Sequence, residues 1–151
     1  MNSRRSFLYK SAVAGSGLIL SPQIAISNNS DEEVLKVGLI GVGLRGTNHL
    51  KNLLLREDVS INAICDIDPV RVDLNLDLIR KAGKKKPRVY GKNDYDYRNL
   101  LELKEVDAVI ISTPWEWHVK MAVDAMKAGK YAGLEVSAAT TMKGCWDLVK
   151  T

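Results

Sequence analysis

The stretch VLKVGLIGVGLRGTNHLKNLLL, residues 34–55, constrains the fold more than any other part of the chain. Residues 34–40 are apolar on nearly every side, as a strand covered on both faces of a parallel sheet must be. Glycines follow at Gly41, Gly43 and Gly46, and then Leu50, Leu53 and Leu54 recur at helical spacing. A strand that passes through a GxGxxG turn into a helix needs each glycine for a separate reason. Gly41 permits the tight turn, Gly43 lets a phosphate approach the backbone, and Gly46 lets the helix pack close to the strand. Unpaired N–H groups at the helix start then suit a pyrophosphate, with Leu44 and Arg45 on the rim of the turn.

The remaining chain continues the alternation. VSINAICD reads as a second strand, and DPVRVDLNLDLIRKAG as a helix opened by Pro69 and closed by Gly83. A short third strand is expected at 88–90, a helix at 97–104, and a fourth strand in DAVIIS. HVKMAVDAMKAG reads as a helix ending at Gly129, with Met121, Ala122, Ala125 and Met126 forming its core stripe. KYAGLEV is the fifth strand. TMKGCWDLVKT reads as a last helix with Met142, Cys145, Trp146 and Val149 on one face. This pattern predicts an α/β fold, a Rossmann-type doubly wound parallel sheet with right-handed crossovers. No sixth strand or second domain follows, so residues 31–151 are expected to form an incomplete nucleotide-binding domain, cut before a C-terminal α+β domain.

Asp66 ends the second strand 20 residues after Gly46, where a carboxylate can accept hydrogen bonds from an adenosine ribose. It would repel a 2′-phosphate, and Asp68 would add to that repulsion, so NAD is favoured over NADP. Asp66 could instead cap the helix before Pro69, and capping is the leading reading for Asp68. In a doubly wound sheet the ligand lies beyond the carboxyl ends of the strands. That is where TPWEWH, residues 113–118, and LEVS, residues 134–137, must fall. The aromatic faces and polar edges of TPWEWH suit the nicotinamide half of a dinucleotide. Trp115 and Trp117 equally suit interdomain packing, and His118 could cap the next helix.

Charge narrows the partners. The formal net charge is +4, but Arg4, Arg5 and Lys10 stand in an N-terminal stretch with no acid, which leaves 19 basic against 18 acidic residues from Asp31 onward. A nearly neutral body gives no support to nucleic-acid binding, and Lys81, Lys84, Lys85, Lys86 and Arg88 read as a solvated loop. The N-terminus has a basic start, an apolar run from Ala12 to Leu20 and small residues at Ala25 and Ser27. That run is too short to span a bilayer, so residues 1–30 read as a signal peptide. SRRSFL resembles a twin-arginine signal, with the expected lysine displaced to Lys10 by Tyr9; an ordinary secretory or anchor segment is the alternative. The expected location is therefore outside the cytoplasm, in the periplasm. Cys65 and Cys145 have no metal-motif spacing and are expected to be free, packed thiols.

GLIGVGLRG, AICDIDPVRV, DAVIISTP with His118 four residues past Pro114, and MKAGKYAGLEV resemble the Gfo/Idh/MocA oxidoreductase family. Family dehydrogenases usually carry Glu-Lys-Pro after the fifth strand, the lysine reaching the substrate; here the letters are Glu135-Val136-Ser137. That departure, with GVGLRG, TPWEWHVKMAVDAMKAGKY and EVSAATTMKGCWDLVK, resembles glycoside hydrolase family 109 within it, whose activity is α-N-acetylgalactosaminidase with tightly held NAD. The resemblance implies that Leu44 and Arg45 lie at the pyrophosphate, Asp66 at the ribose, and Trp115, Glu116, Trp117, His118, Glu135 and Val136 along the rest of NAD. Catalytic residues are expected beyond residue 151. The implied mechanism dispenses with the usual carboxylate pair. The sugar is oxidised at C3, loses the C2 proton and the C1 substituent, adds water, and is reduced again. The alternatives are an exported sugar oxidoreductase of the wider family and an NAD-binding module without chemistry. The expected partners are a small carbohydrate or glycoside substrate, the twin-arginine export machinery and further copies of the chain in a homo-oligomer.

Overall fold

The computed structural model describes residues 34–151; the signal-peptide reading of residues 1–30 falls outside them. Ten elements alternate along the described residues: β1 (Leu35–Ile40), α1 (Leu44–Leu54), β2 (Val59–Cys65), α2 (Pro69–Lys81), β3 (Arg88–Tyr90), α3 (Tyr97–Leu101), β4 (Ala108–Ile111), α4 (Trp115–Lys127), β5 (Tyr131–Leu134) and α5 (Met142–Lys150). The strands form one parallel sheet in the order β3-β2-β1-β4-β5. The order reverses between β1 and β4, the switch point at which such sheets open a crevice at their carboxyl ends.

The side-chain period of two divides the core into two layers. On β1, Leu39 faces one layer with Val42, Leu50, Ile64, Val72 and Ile79. Ile40 faces the other with Tyr97, Leu100, Val109, Ile111 and Ala122. Each layer is closed by helices whose apolar stripes recur at helical spacing. Leu50 of α1 is fully covered, a burial worth about 2 kcal/mol. These layers hold the strand ends rigidly beneath the loops that follow them.

The structure departs from the expected elements in three places. α3 stops at Leu101, because the chain turns there through Leu103 N–H to Leu100 O and Val106 N–H to Leu103 O. α4 starts at Trp115, three residues ahead of expectation, with Pro114 at its N-cap. A proline suits the entrance to a helix, where its missing N–H costs nothing. The third departure is on α5. Gly144 faces α4, where a Cβ would lie 2.9 Å from Val119 Cγ2, and Leu148 packs on the core. That orientation leaves Met142, Cys145, Trp146 and Val149 exposed among the described residues, so Cys65 is packed and Cys145 is not.

Candidate functional site

The turn after β1 is shaped by contacts that only glycine allows. Gly41 has φ 85°, and a Cβ there would sit 2.7 Å from Ser112 O at the end of β4. A Cβ on Gly46 would meet Gly41 O at 2.0 Å, so the first turn of α1 lies directly on the glycine turn. Gly43 differs, because nothing lies within 4 Å of its Cβ position.

Between the glycines, the Val42 backbone is held by side chains from other elements. Its N–H donates to Asp66 Oδ2 at 2.7 Å. Its carbonyl accepts from Asn75 Nδ2 on α2 and from Thr47 Oγ1 on α1, each at 2.9 Å. Asn75 is fully buried and also donates to Arg71 O at 2.8 Å, while its Oδ1 has no partner. Asp66 Oδ1 accepts from Asp68 N–H at 2.9 Å, and Asp68 caps α2 by accepting from Val70 N–H at 2.9 Å. The capping reading of Asp68 therefore holds. Asp66 stands at the end of β2 with its carboxylate oriented by two backbone donors.

The start of α1 has neither a side-chain cap nor an acidic residue in its first turn. Its orphan N–H groups and the helix dipole are left for an anion, and the open space at Gly43 admits one. A cleft of about 240 Å³ continues from this turn, lined among others by Gly43, Asp66, Asn93, Ser112 and Trp117. Ser112 Oγ is buried there without a partner. Donors at the helix start, open space at Gly43 and an oriented carboxylate on the next strand together fit a dinucleotide.

The residues of TPWEWH part company. Trp115 and Glu116 are exposed on the first turn of α4 and are not among the residues lining the cleft. Trp117 lines the cleft and meets Tyr95 edge to face, with ring centroids 5.5 Å apart. His118 is buried, its ring nitrogens 2.8 Å from Thr113 O and 2.8 Å from Ser137 O, so it ties the loop after β4 to the loop after β5. It makes no N-cap for α4, which begins three residues earlier.

After β5, Glu135 Oε1 accepts from Arg45 Nη2 at 2.9 Å and lies 2.6 Å from His49 Nε2. The hydrogen bond to His49 holds this carboxyl below the usual carboxylate range; desolvation opposes that shift, and Arg45 adds to it. Val136 is 80% exposed, and Leu44 is 75% exposed on the rim of the turn. Sequence reasoning missed His49 and Asn75. Both sit inside helices whose apolar spacing masks them, and their partners lie 86 and 33 residues away.

A model described as an oxidoreductase family with an NAD-binding Rossmann fold, Gfo/Idh/MocA, matches residues 35–151. The chain belongs to this family. NAD is accordingly the cofactor for which the Gfo/Idh/MocA site is built. Among curated relatives, the α-N-acetylgalactosaminidase of Shewanella oneidensis is 39% identical over 167 residues, covering 98% of this chain and 36% of that protein. A glycosyl hydrolase family 109 protein of Parabacteroides distasonis is 42% identical over 163 residues, covering 98% of this chain and 35% of its own. The chain thus spans about a third of the length of these relatives. Among solved structures, scyllo-inositol dehydrogenase of Lactobacillus casei with bound NAD(H) and scyllo-inositol has TM-score 0.66 at 20% identity, over 78% of this chain and 32% of that one. The WlbA dehydrogenase of Chromobacterium violaceum, in complex with NADH and UDP-GlcNAcA, has TM-score 0.66 at 24% identity, over 78% and 32%. At such identities these two structures show the shared fold.

Proposed function

We propose that the full-length protein is an exported NAD-dependent glycoside hydrolase acting on α-linked N-acetylgalactosamine or a related sugar. The observation that carries this reading is the end of β5. Glu135 is followed by an exposed valine where family dehydrogenases place a substrate lysine. Valine can neither take a proton from an alcohol nor orient one. The similarity to a named α-N-acetylgalactosaminidase over nearly the whole chain supports the same assignment.

In this reading the described residues bind and orient, and the sugar-binding and acid-base groups belong to the part of the protein beyond residue 151. The α1 N–H groups hold the pyrophosphate, Asp66 the ribose hydroxyls, and Trp117 shields the cleft from water. Bound NAD supplies a hydride acceptor for sugar C3 and, later in the cycle, the hydride that restores it. A redox-neutral cycle also suits export, since no soluble nicotinamide pool exists outside the cytoplasm to reoxidise a released cofactor. The twin-arginine character of SRRSFL supports that location.

The test gives the full-length protein a chromogenic α-N-acetylgalactosaminide in deuterated water without added cofactor. Expected are many turnovers of aglycone release, no accumulation of NADH absorbance, and deuterium at C2 of the released sugar. An intact glycoside would overturn the substrate assignment. NADH formation from free sugars would replace it with the sugar oxidoreductase, the activity class of the dehydrogenases that share the fold.

A further inference from the structure

Arg45 and His49 are one helical turn apart on α1, so their side chains leave the same face and reach one carboxylate oxygen of Glu135 on the far side of the switch point. The three differ in exposure. The Arg45 side chain is 67% exposed, that of His49 32% and that of Glu135 12%. Glu135 is therefore the covered centre of the group, and its other oxygen lies 3.3 Å from Val136 N–H. Arg45 uses one guanidinium nitrogen, Nη2, on the shared oxygen, Oε1, and its backbone stands at the second residue of α1, directly after the glycine turn.

A carboxylate in this place presents a problem that the geometry solves. A dinucleotide brings two phosphate charges to the start of α1, and an uncompensated Glu135 would repel them and hold Arg45 to itself. A second donor on the same oxygen shares the carboxylate. It also fixes Glu135 to α1 independently of Arg45, whose long side chain is otherwise free to swing into solvent.

We infer that His49 is a positioning residue for the cofactor: by holding Glu135 against α1, it keeps the Arg45 guanidinium at the glycine turn, directed to the pyrophosphate. His49 itself touches no cofactor in this arrangement. The inference rests on the NAD site of the family and is independent of the glycosidase reading.

The test uses the full-length protein freed of nucleotide and titrated calorimetrically with NAD⁺ and, separately, with adenosine, which carries no phosphate. His49→Ala should weaken NAD⁺ binding about five- to tenfold, the loss of one charge-assisted hydrogen bond, and leave adenosine within about twofold. In an Arg45→Ala background, His49→Ala should add no further loss, because the two act as one unit. His49→Gln, whose amide N–H can reach the same oxygen, should recover most of the affinity, and thermal unfolding checks that each variant is folded. Equal losses for NAD⁺ and adenosine, additive losses with Arg45→Ala, or wild-type NAD⁺ affinity in His49→Ala would each overturn the inference. Failure of the wild-type protein to bind NAD⁺ would instead strike the cofactor site as a whole.

Discussion

Two alanine substitutions, at Gly46 and Gly43, separate the packing of the glycine turn from its binding role. A Cβ on Gly46 would lie 2.0 Å from Gly41 O, about 1.4 Å inside ordinary contact. Gly41 is held in place by its own N–H, which donates to Cys65 O at the end of β2 at 2.7 Å. The start of α1 must therefore lift off the turn. Overpacking of this kind costs about 1–3 kcal/mol, and the better helix propensity of alanine returns about 1 kcal/mol at most. Gly46→Ala should thus lose about 1–2 kcal/mol in urea unfolding, and NAD⁺ affinity should fall at least about tenfold as the donors of α1 shift. Gly43 has φ −65° and an empty Cβ environment, so Gly43→Ala should unfold within about 0.5 kcal/mol of wild type. Its methyl fills the space left for the phosphates, so NAD⁺ affinity should again fall at least about tenfold, this time without loss of stability. Calorimetric titration and urea unfolding on the same samples check both arms. Wild-type NAD⁺ affinity in Gly43→Ala would refute the placement of the pyrophosphate, and wild-type stability in Gly46→Ala would refute the packing argument.

The two thiols should behave oppositely. Cys145 is exposed, whereas Cys65 is 6% exposed and its thiol is pushed up to about 12 by burial, with Asp96 and Asp66 adding to the shift. A thiol reagent followed by peptide mass mapping should label Cys145 in the native protein and Cys65 only after unfolding; native labelling of Cys65 would contradict this. Tyr97 should make stability depend on alkaline pH. Burial, reinforced by its hydrogen bond to Asp124 at 2.6 Å, pushes its hydroxyl from 10.0 up to about 12. The unfolded chain releases this proton first, so the stability it contributes is complete below pH 10 and is lost as pH rises toward about 12. Unfolding midpoints followed through that window should fall less steeply in Tyr97→Phe, and identical slopes would remove Tyr97 from the account.

Much of this architecture was legible because it depends on local period. A two-sided apolar run, three spaced glycines and recurring leucines specify strand, turn and helix within about twenty residues, and the same logic located β2, β4 and α2. Element ends were less legible where side chains blur the signal. Trp115 and Trp117 are weak helix formers, so the first turn of α4 read as loop, although Pro114 had already set its entrance. Asp66 and Glu135 were placed at strand ends by topology alone. What each carboxylate holds, Val42 N–H in one case and Arg45 with His49 in the other, depends on contacts 24 to 90 residues apart. His118 follows the same rule: its position after β4 was legible, while its two partners, Thr113 O and Ser137 O, are supplied by the fold.

The double hold on Val42 has a consequence for the order in which the molecule acquires its properties. At the centre of the glycine turn, the Val42 N–H finds its acceptor in Asp66 at the end of β2, and the Val42 carbonyl takes one of its two donors, Asn75, from α2. The turn therefore cannot reach its final shape while only β1 and α1 have formed, even though the glycine motif lies wholly between them. Nucleotide affinity should emerge late in folding, with the docking of α2. Inherited changes on that distant helix then act on the cofactor as directly as changes in the motif itself, and substitutions at Asn75 and at the glycines should show strong genetic interaction.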